Sequence, residues 1–233
     1  MIHQKLWIKE ELYRTYRQGV VQTKAFLEDF VFLIFGMLEL FESTGDIDWL
    51  TCAKELQEVQ DQNFWDEDQA GYWMVGKQNE ALLTREKPFY DGAEPSPNSV
   101  AVSNLLKLYV FTEENRYRDK AKLALTQFSV VLDRGPSVAP WMASALMTYL
   151  TPSQEILIVQ KEKKGSMLDA ELRKKYLPFS TRLSLTEKER KGLEKEVPWV
   201  RERSLKGDQI AFVCENGTCQ LPITTPEQLA TLL

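Results

Sequence analysis

Between about residue 22 and residue 150 the apolar positions recur at helical spacing. Phe26, Phe30, Leu33, Ile34, Met37 and Phe41 follow one face of a helix, while Leu27, Val31, Phe35 and Leu38 fill most of the opposite side. That pattern predicts a helix buried nearly all round. The next segment has one wet side. Trp49, Cys52, Ala53, Leu56 and Val59 form an apolar stripe, and Thr51, Lys54, Glu55 and Glu58 face away. An all-apolar helix followed by an amphipathic one reads as an inner–outer antiparallel pair.

The pair recurs in weak register. Laid so that Leu38 falls on Leu106, the sequence also matches Thr44 with Thr112, Trp49 with Tyr117 and Ala53-Lys54 with Ala121-Lys122. The second outer helix is expected to carry Tyr117, Ala121, Ala124, Leu125, Phe128 and Leu132 on one face and to end at Gly135 as a C-cap. A third inner helix follows from about Val138 to Leu150. Hairpins repeated in this way bury each unit against its neighbours. Residues 64–97, between the two hairpins, are rich in aromatics, acids, Gly and Pro, and are too long for a plain connector. A short strand is expected at Tyr72–Val75.

After Thr151-Pro152 the period changes. Glu155–Val159, Ser180–Leu185 and Gln209–Val213 read as strands. Helical stretches alternate with them at GSMLDAELRKKY, at Thr186–Lys195 and after Thr225-Pro226, where Thr caps and Pro takes the first position. The expected architecture is therefore mainly α, with αα-hairpins over residues 1–150 and a small α/β domain over 151–233.

Composition narrows the function. The 233 residues carry a net charge of −5 with no basic block, which argues against nucleic acid. The longest apolar stretch, Phe30–Leu38, falls well short of the ~20 residues a membrane span needs. The N-terminal MIHQKLWIKEE lacks the apolar core of a signal peptide. Three cysteines suit a reducing cytoplasm, and a single histidine excludes chemistry that needs two from this chain.

Four carboxylates stand out. Glu28 and Asp29 lie in the first turns of an otherwise apolar helix, where they complement its dipole or enter a buried region where a shifted pKa suits acid/base work. Periodicity places Asp29 beside Phe26 and Leu33, and so favours it. Asp91 and Glu94 sit in YDGAEPSPNS, which leads into the second inner helix. Gly and the prolines fix a turn there, and Ser96 or Asn98 is expected to cap the helix. Asp91, Glu94 and Asn98 next to Trp73 and Tyr90 give carboxylates with aromatic platforms, the equipment of a sugar-binding cleft. Asp66–Gly71 resembles the opening of a calcium loop, but the twelfth position is Lys77, where a bidentate Glu is required, so calcium is rejected.

Cys214 and Cys219 flank Glu215-Asn216-Gly217-Thr218, a two-residue hairpin signal. A type I′ turn would set the cysteines directly opposite each other at a non-hydrogen-bonded pair. They would then form a disulfide or a metal half-site, or remain free thiols that help pin the hairpin, which a reducing compartment favours. Zinc would need two more ligands, and neither Cys52 nor His3 is an obvious donor. No metal or cofactor is called for.

The blocks AFLEDFVFLIFGMLELFESTGDIDWL, FWDEDQAGYW, YDGAEPSPNSVAVSNLLKLY and VCENGTCQLPITTPEQL resemble, in that order, the thioredoxin-domain proteins related to spermatogenesis-associated protein 20. The resemblance implies an N-terminal thioredoxin-like domain followed by an (α/α)6 toroid of the six-hairpin glycosidase type, similar to N-acylglucosamine 2-epimerases. Asp29, Asp91, Glu94 and Asn98 match positions that would line its cleft, and a carbohydrate ligand is implied. Epimerase-type histidines are missing. So are the thioredoxin-like domain and the first hairpins, leaving a partial toroid whose inner helices would expose side chains worth ~1.5–3 kcal/mol each when buried. A partner chain carrying the missing half, or a second copy of this chain, would cover them.

Overall fold

The computed structural model describes residues 5–77, 79, 84–163, 165–215 and 217–233. It begins with a feature that the helical pattern does not announce. Strands β1 (Trp7–Ile8), β2 (Glu11–Arg17) and β3 (Val20–Lys24) form an antiparallel meander. Arg17 pairs with Val20 across a two-residue turn in which Gln18 and Gly19 both have positive φ, 51° and 84°. That is the backbone a tight hairpin needs. Leu12 anchors the meander in the core, and its carbonyl accepts the Ala25 N–H at 2.9 Å.

Helices α1 (Leu27–Thr44) and α2 (Ile47–Phe64) form the first hairpin. Asp46 caps α2 by accepting the Asp48 N–H. Helices α3 (Pro97–Thr112) and α4 (Asn115–Gln127) form the second, and Ala53 and Ala121, aligned by the sequence repeat, are both fully buried. The outer helix expected to run unbroken to Gly135 stops at Phe128. A short helix α5 (Ser129–Arg134) follows, and Gly135 has φ −169°, so it is not a left-handed cap. A 3-10 turn at Pro136–Val138 then leads into α6 (Pro140–Leu150). The inner helices α1, α3 and α6 lie side by side. Phe41 meets Phe111 edge-on at 4.8 Å, Phe35 meets Trp141 at 5.7 Å, and the buried Asn104 amide donates to the Val31 carbonyl at 2.8 Å.

The α/β part follows its sequence reading closely. It consists of β4 (Gln154–Gln160), α7 (Met167–Leu172), β5 (Ser180–Thr186), α8 (Glu187–Leu193), β6 (Gln209–Glu215), β7 (Thr218–Cys219) and α9 (Pro226–Leu232). The strand order is β5-β4-β6-β7, with β4 parallel to β5 and antiparallel to β6. A strand covered on both faces reads as a continuous apolar run, and Ile156–Val159 in the middle of β4 show this. Leu157 and Val159 join Leu183, Leu185 and Phe212 in the core shared with the helices, whereas Ile156 and Ile158 pack with Leu168 of α7, Val213 and Leu229 of α9. One apolar core thus runs from the hairpins through the change of period at residues 151–153.

About half of the chain is helical, so the protein is a helical domain joined to a small α/β part. No helix among the described residues is long and apolar enough to cross a membrane.

Candidate carboxylate cleft

At the N-terminal end of α1 an open cleft of about 430 Å³ is lined by Tyr13, Arg14, Glu28, Asp29, Phe32 and Glu94, with Leu6, Leu12 and Leu33 beneath. Three of the four candidate carboxylates therefore meet in one place, although Glu94 comes from the loop before α3. The fourth charged group, Arg14, arrives on β2, and nothing in its local sequence marks it because the meander itself is silent in the hydrophobic pattern. Arg14 pairs with Glu28 at 2.5 Å and reaches Asp29 at 3.7 Å, while its guanidinium lies 5.4 Å from the Phe26 ring centroid.

Asp29 is half-buried, and its Oδ2 accepts the Phe26 N–H at 2.9 Å. Desolvation by its surroundings lifts the carboxyl above the ordinary aspartate range. The Phe26 N–H and Arg14 act against that lift, and Glu28 adds to it. A group with that balance holds a proton more readily than a free aspartate, as acid/base work requires. The sign for stability follows. Because the folded state binds this proton more tightly than the unfolded chain, the contribution of Asp29 falls as pH rises through its titration. Asp29→Asn, which keeps an oxygen for the Phe26 N–H, is therefore expected to leave neutral-pH stability equal to or above that of the wild type. The gap should close toward acid pH, as read from denaturant unfolding at a series of pH values.

Asp91 and Asn98 are engaged elsewhere. Asp91 Oδ1 accepts the Ser96 N–H at 2.7 Å, and Oδ2 accepts the Trp141 N–H at 2.7 Å and the Met142 N–H at 3.4 Å. One carboxylate thus caps α6 and braces the turn before α3, a different task from the cap of α3 itself expected of Ser96 or Asn98. Neither of those side chains caps its helix. Ser96 donates through Oγ to the Pro88 carbonyl at 2.9 Å. Asn98 is fully buried, accepting the Tyr72 N–H at 2.8 Å and donating to the Tyr72 and Pro88 carbonyls at 2.9 Å each. Asp91→Ala should lower stability by about 2 kcal/mol through the lost charge-assisted cap. A chemical denaturation series would read the loss, and a shift below about 0.5 kcal/mol would contradict the bracing role.

The aromatic platforms also lie outside the lining of the cleft. Trp73 carries the Arg85 guanidinium and Lys87 ammonium 4.7 and 4.5 Å from its centroid, and Tyr90 is 64% exposed. The strand expected at Tyr72–Val75 reduces to a single bridge between Trp65 and Tyr72. Asp66, rejected above as a calcium ligand, pairs with the nearly buried Lys87.

At the other end of the chain, β6 and β7 set Cys214 opposite Cys219 with Cα atoms 3.9 Å apart, and the two are joined as a disulfide. The free-thiol alternative is thereby corrected. The non-hydrogen-bonded pairing brings the two side chains close enough for their Sγ atoms to bond, and the neighbouring Gln220 N–H to Val213 carbonyl bond fixes the register. Cys214 is fully buried and Cys219 exposed, while Asn216, the first turn residue, lies outside the described residues, as does His3.

No family model matches the chain. Its sequence is homologous to spermatogenesis-associated protein 20: the human protein is 35% identical over 212 residues, 89% of this chain, and the mouse protein 33% over 213 residues. An uncharacterized protein of Caenorhabditis elegans is 29% identical over 217 residues. The chain spans about a quarter of the length of these relatives, 27% of the human protein. Among solved structures, a GH76 alpha-mannanase from Bacteroides thetaiotaomicron aligns over 52% of this chain and 31% of its own, with a TM-score of 0.41 and 20% identity.

Proposed function

We propose that this chain is a portion of a thioredoxin-domain protein of the spermatogenesis-associated protein 20 kind, that residues 1–150 are part of an (α/α)6 toroid, with 151–233 as its α/β appendage, and that the cleft takes a carbohydrate. The observation that carries the proposal is the convergence of Glu28, Asp29, Glu94 and Arg14 on one open cleft at the head of an inner helix. In this reading Asp29, with its raised proton affinity, is the acid/base group. Glu94 serves as the second carboxylate, Glu28 and Arg14 hydrogen-bond sugar hydroxyls, and Phe32 offers an apolar platform. Asp91 and Asn98 position the loops and do not touch the ligand. The reading needs no metal or cofactor and places the protein in cytoplasmic carbohydrate metabolism.

The test is titration of the chain with a panel of neutral sugars and N-acylglucosamines, followed by calorimetry. Asp29→Asn and Glu94→Gln should each weaken binding or turnover by at least about tenfold while the fold melts normally. Binding that survives both substitutions unchanged sinks the proposal.

A second reading rests on exposed apolar side chains. Phe32 and Leu40 of α1 are 38% and 42% exposed, and Met147 and Leu150 of α6 are 54% and 70% exposed. Such faces suit an interaction module completed by a partner chain, or by a second copy in a homo-oligomer. Light scattering separates the two, since a stable monomer at 27.0 kDa excludes the second copy. The third reading, a redox role for Cys214 and Cys219, rests on their disulfide and on the exposure of residue Cys219.

A further inference from the structure

A second cavity, of about 410 Å³, lies where the C-terminal ends of the inner helices meet the α/β part, and no site residue read from the sequence lines it. Its walls come from α1 (Glu42), α3 (Lys107, Tyr109), α4 (Arg118), α6 (Thr148, Tyr149), the connector 151–153 and the start of β5. Thirteen positions of α1 separate Glu42 from Asp29, which at 1.5 Å per residue puts this cavity about 20 Å from the carboxylate cleft.

Its charges do not cancel. Lys107 is paired with Glu39 and Glu42, and Glu42 also accepts the Arg182 N–H at 2.9 Å with the Arg182 guanidinium 3.9 Å away. Those two cations and two carboxylates balance one another. Arg118 is left over. Its guanidinium carbon lies 5.5 Å from the Tyr109 centroid and 5.2 Å from the Tyr149 centroid, and it has no carboxylate partner among the described residues. Two tyrosine rings from different helices thus hold a planar cation at the wall of the cavity with its N–H fork uncommitted. That fork matches the paired oxygens of a carboxylate or phosphate. Thr148, Thr151, Ser153, Ser180 and Thr181 bring hydroxyls to the lining of the same cavity, those of Thr148 and Ser180 donating to the Ser144 and Leu177 carbonyls and so offered as acceptors, and Phe179 and Pro178 add apolar surface. The volume falls in the range of small-molecule sites, which favour junctions of this kind.

We propose that this junction cavity binds a small polyol bearing one anionic group, a carboxylate or a phosphate ester, with Arg118 as the anion clamp and the threonine and serine hydroxyls as partners for the polyol. The proposal does not depend on the carboxylate cleft's being a sugar site.

The test titrates the full chain with glucose 6-phosphate, glucuronate, glucose and inorganic phosphate, followed by calorimetry. The two charged sugars should bind, with the tighter one naming the anion, and glucose and inorganic phosphate should bind at least about tenfold more weakly. Arg118→Gln should cost the charged sugars about tenfold or more, and Arg118→Lys, which keeps the charge but not the fork, should fall between. Arg118 is solvent-exposed, so a melt matching wild type is expected for both variants. Asp29→Asn should leave this binding unchanged, which separates the site from the cleft. The proposal is overturned if no charged sugar binds at millimolar concentration, if glucose or inorganic phosphate binds as tightly as the charged sugars, or if Arg118→Gln binds them like the wild type.

Discussion

Asn98→Ala is expected to destabilise the fold by about 3–4 kcal/mol, since each buried polar group left unpaired costs about 1–3 kcal/mol. The side chain is fully buried at the second position of α3, yet it points away from its own helix and completes a strand-like pair with Tyr72, twenty-six residues earlier. Its amide takes the Tyr72 N–H and gives to the Tyr72 carbonyl, doing for that peptide what a neighbouring strand would do. The Tyr72 hydroxyl, fully enclosed, donates to Asp61 Oδ1 at 2.6 Å, so loosening this residue at the backbone also disturbs its tie to α2. Pro88 would lose one donor but keep the Ser96 hydroxyl. Alanine thus orphans two buried backbone groups and opens a small void. Denaturant unfolding reads the loss directly, and a change below about 1 kcal/mol would show that water replaces the amide and that the loop is not held by it. Asn98→Asp gives an internal control. It keeps an acceptor for the Tyr72 N–H but removes both donations, so most of the loss should persist.

Asn98 also shows what the sequence reading could and could not see. Within YDGAEPSPNS, Asp91 and Asn98 each satisfy backbone groups that no regular element satisfies. Read along the chain, they stand next to carboxylates and aromatics and suggest a ligand. Their partners, at Tyr72, Trp141 and Met142, are remote in sequence, so local reading has no means of finding them. The same distance hid Arg14. The β2 pattern, with Leu12 its only buried residue, offers no alternation to read, and a hairpin that buries so little carries a weak signal. By contrast, the inner helices, the strand β4 with both faces covered, and the cysteine register in β6–β7 were legible, because each is dictated by burial or by a two-residue turn acting within a few positions. The carboxylate cleft was half legible. Glu28 and Asp29 stood out on an apolar helix, but their cation did not. The junction cavity was invisible, since its walls come from six separate segments and its key group, Arg118, reads locally as one more charge on an outer helix.

Gly45→Ala is expected to cost about 3 kcal/mol, and the same substitution at Gly36 to gain about 1 kcal/mol, although both sit on the first inner helix or its cap. Gly45 ends α1 in the left-handed region, φ 70°, with its N–H on the Phe41 carbonyl at 2.7 Å. A Cβ there would incur the steric cost of that conformation and would stand 2.3 Å from Cδ2 of Leu185. Leu185 is fully buried in β5, in the core that joins the sheet to the helices, so its side chain has little room to yield. The clash therefore falls on the contact between the end of α1 and the α/β part, and the expected loss exceeds that of removing a helix cap alone. Gly36 lies mid-helix, where an added methyl meets nothing within 4 Å and only the entropy of the unfolded chain changes. Measuring both variants by denaturant unfolding makes each the control for the other. A loss at Gly45 of only about 1 kcal/mol, the cost of the left-handed conformation alone, would mean that the sheet does not press on the α1 cap. A loss near about 3 kcal/mol beside a gain at Gly36 is the result expected if Leu185 packs tightly on the cap, at the boundary that also forms a wall of the Arg118 cavity through Glu42 and Thr181.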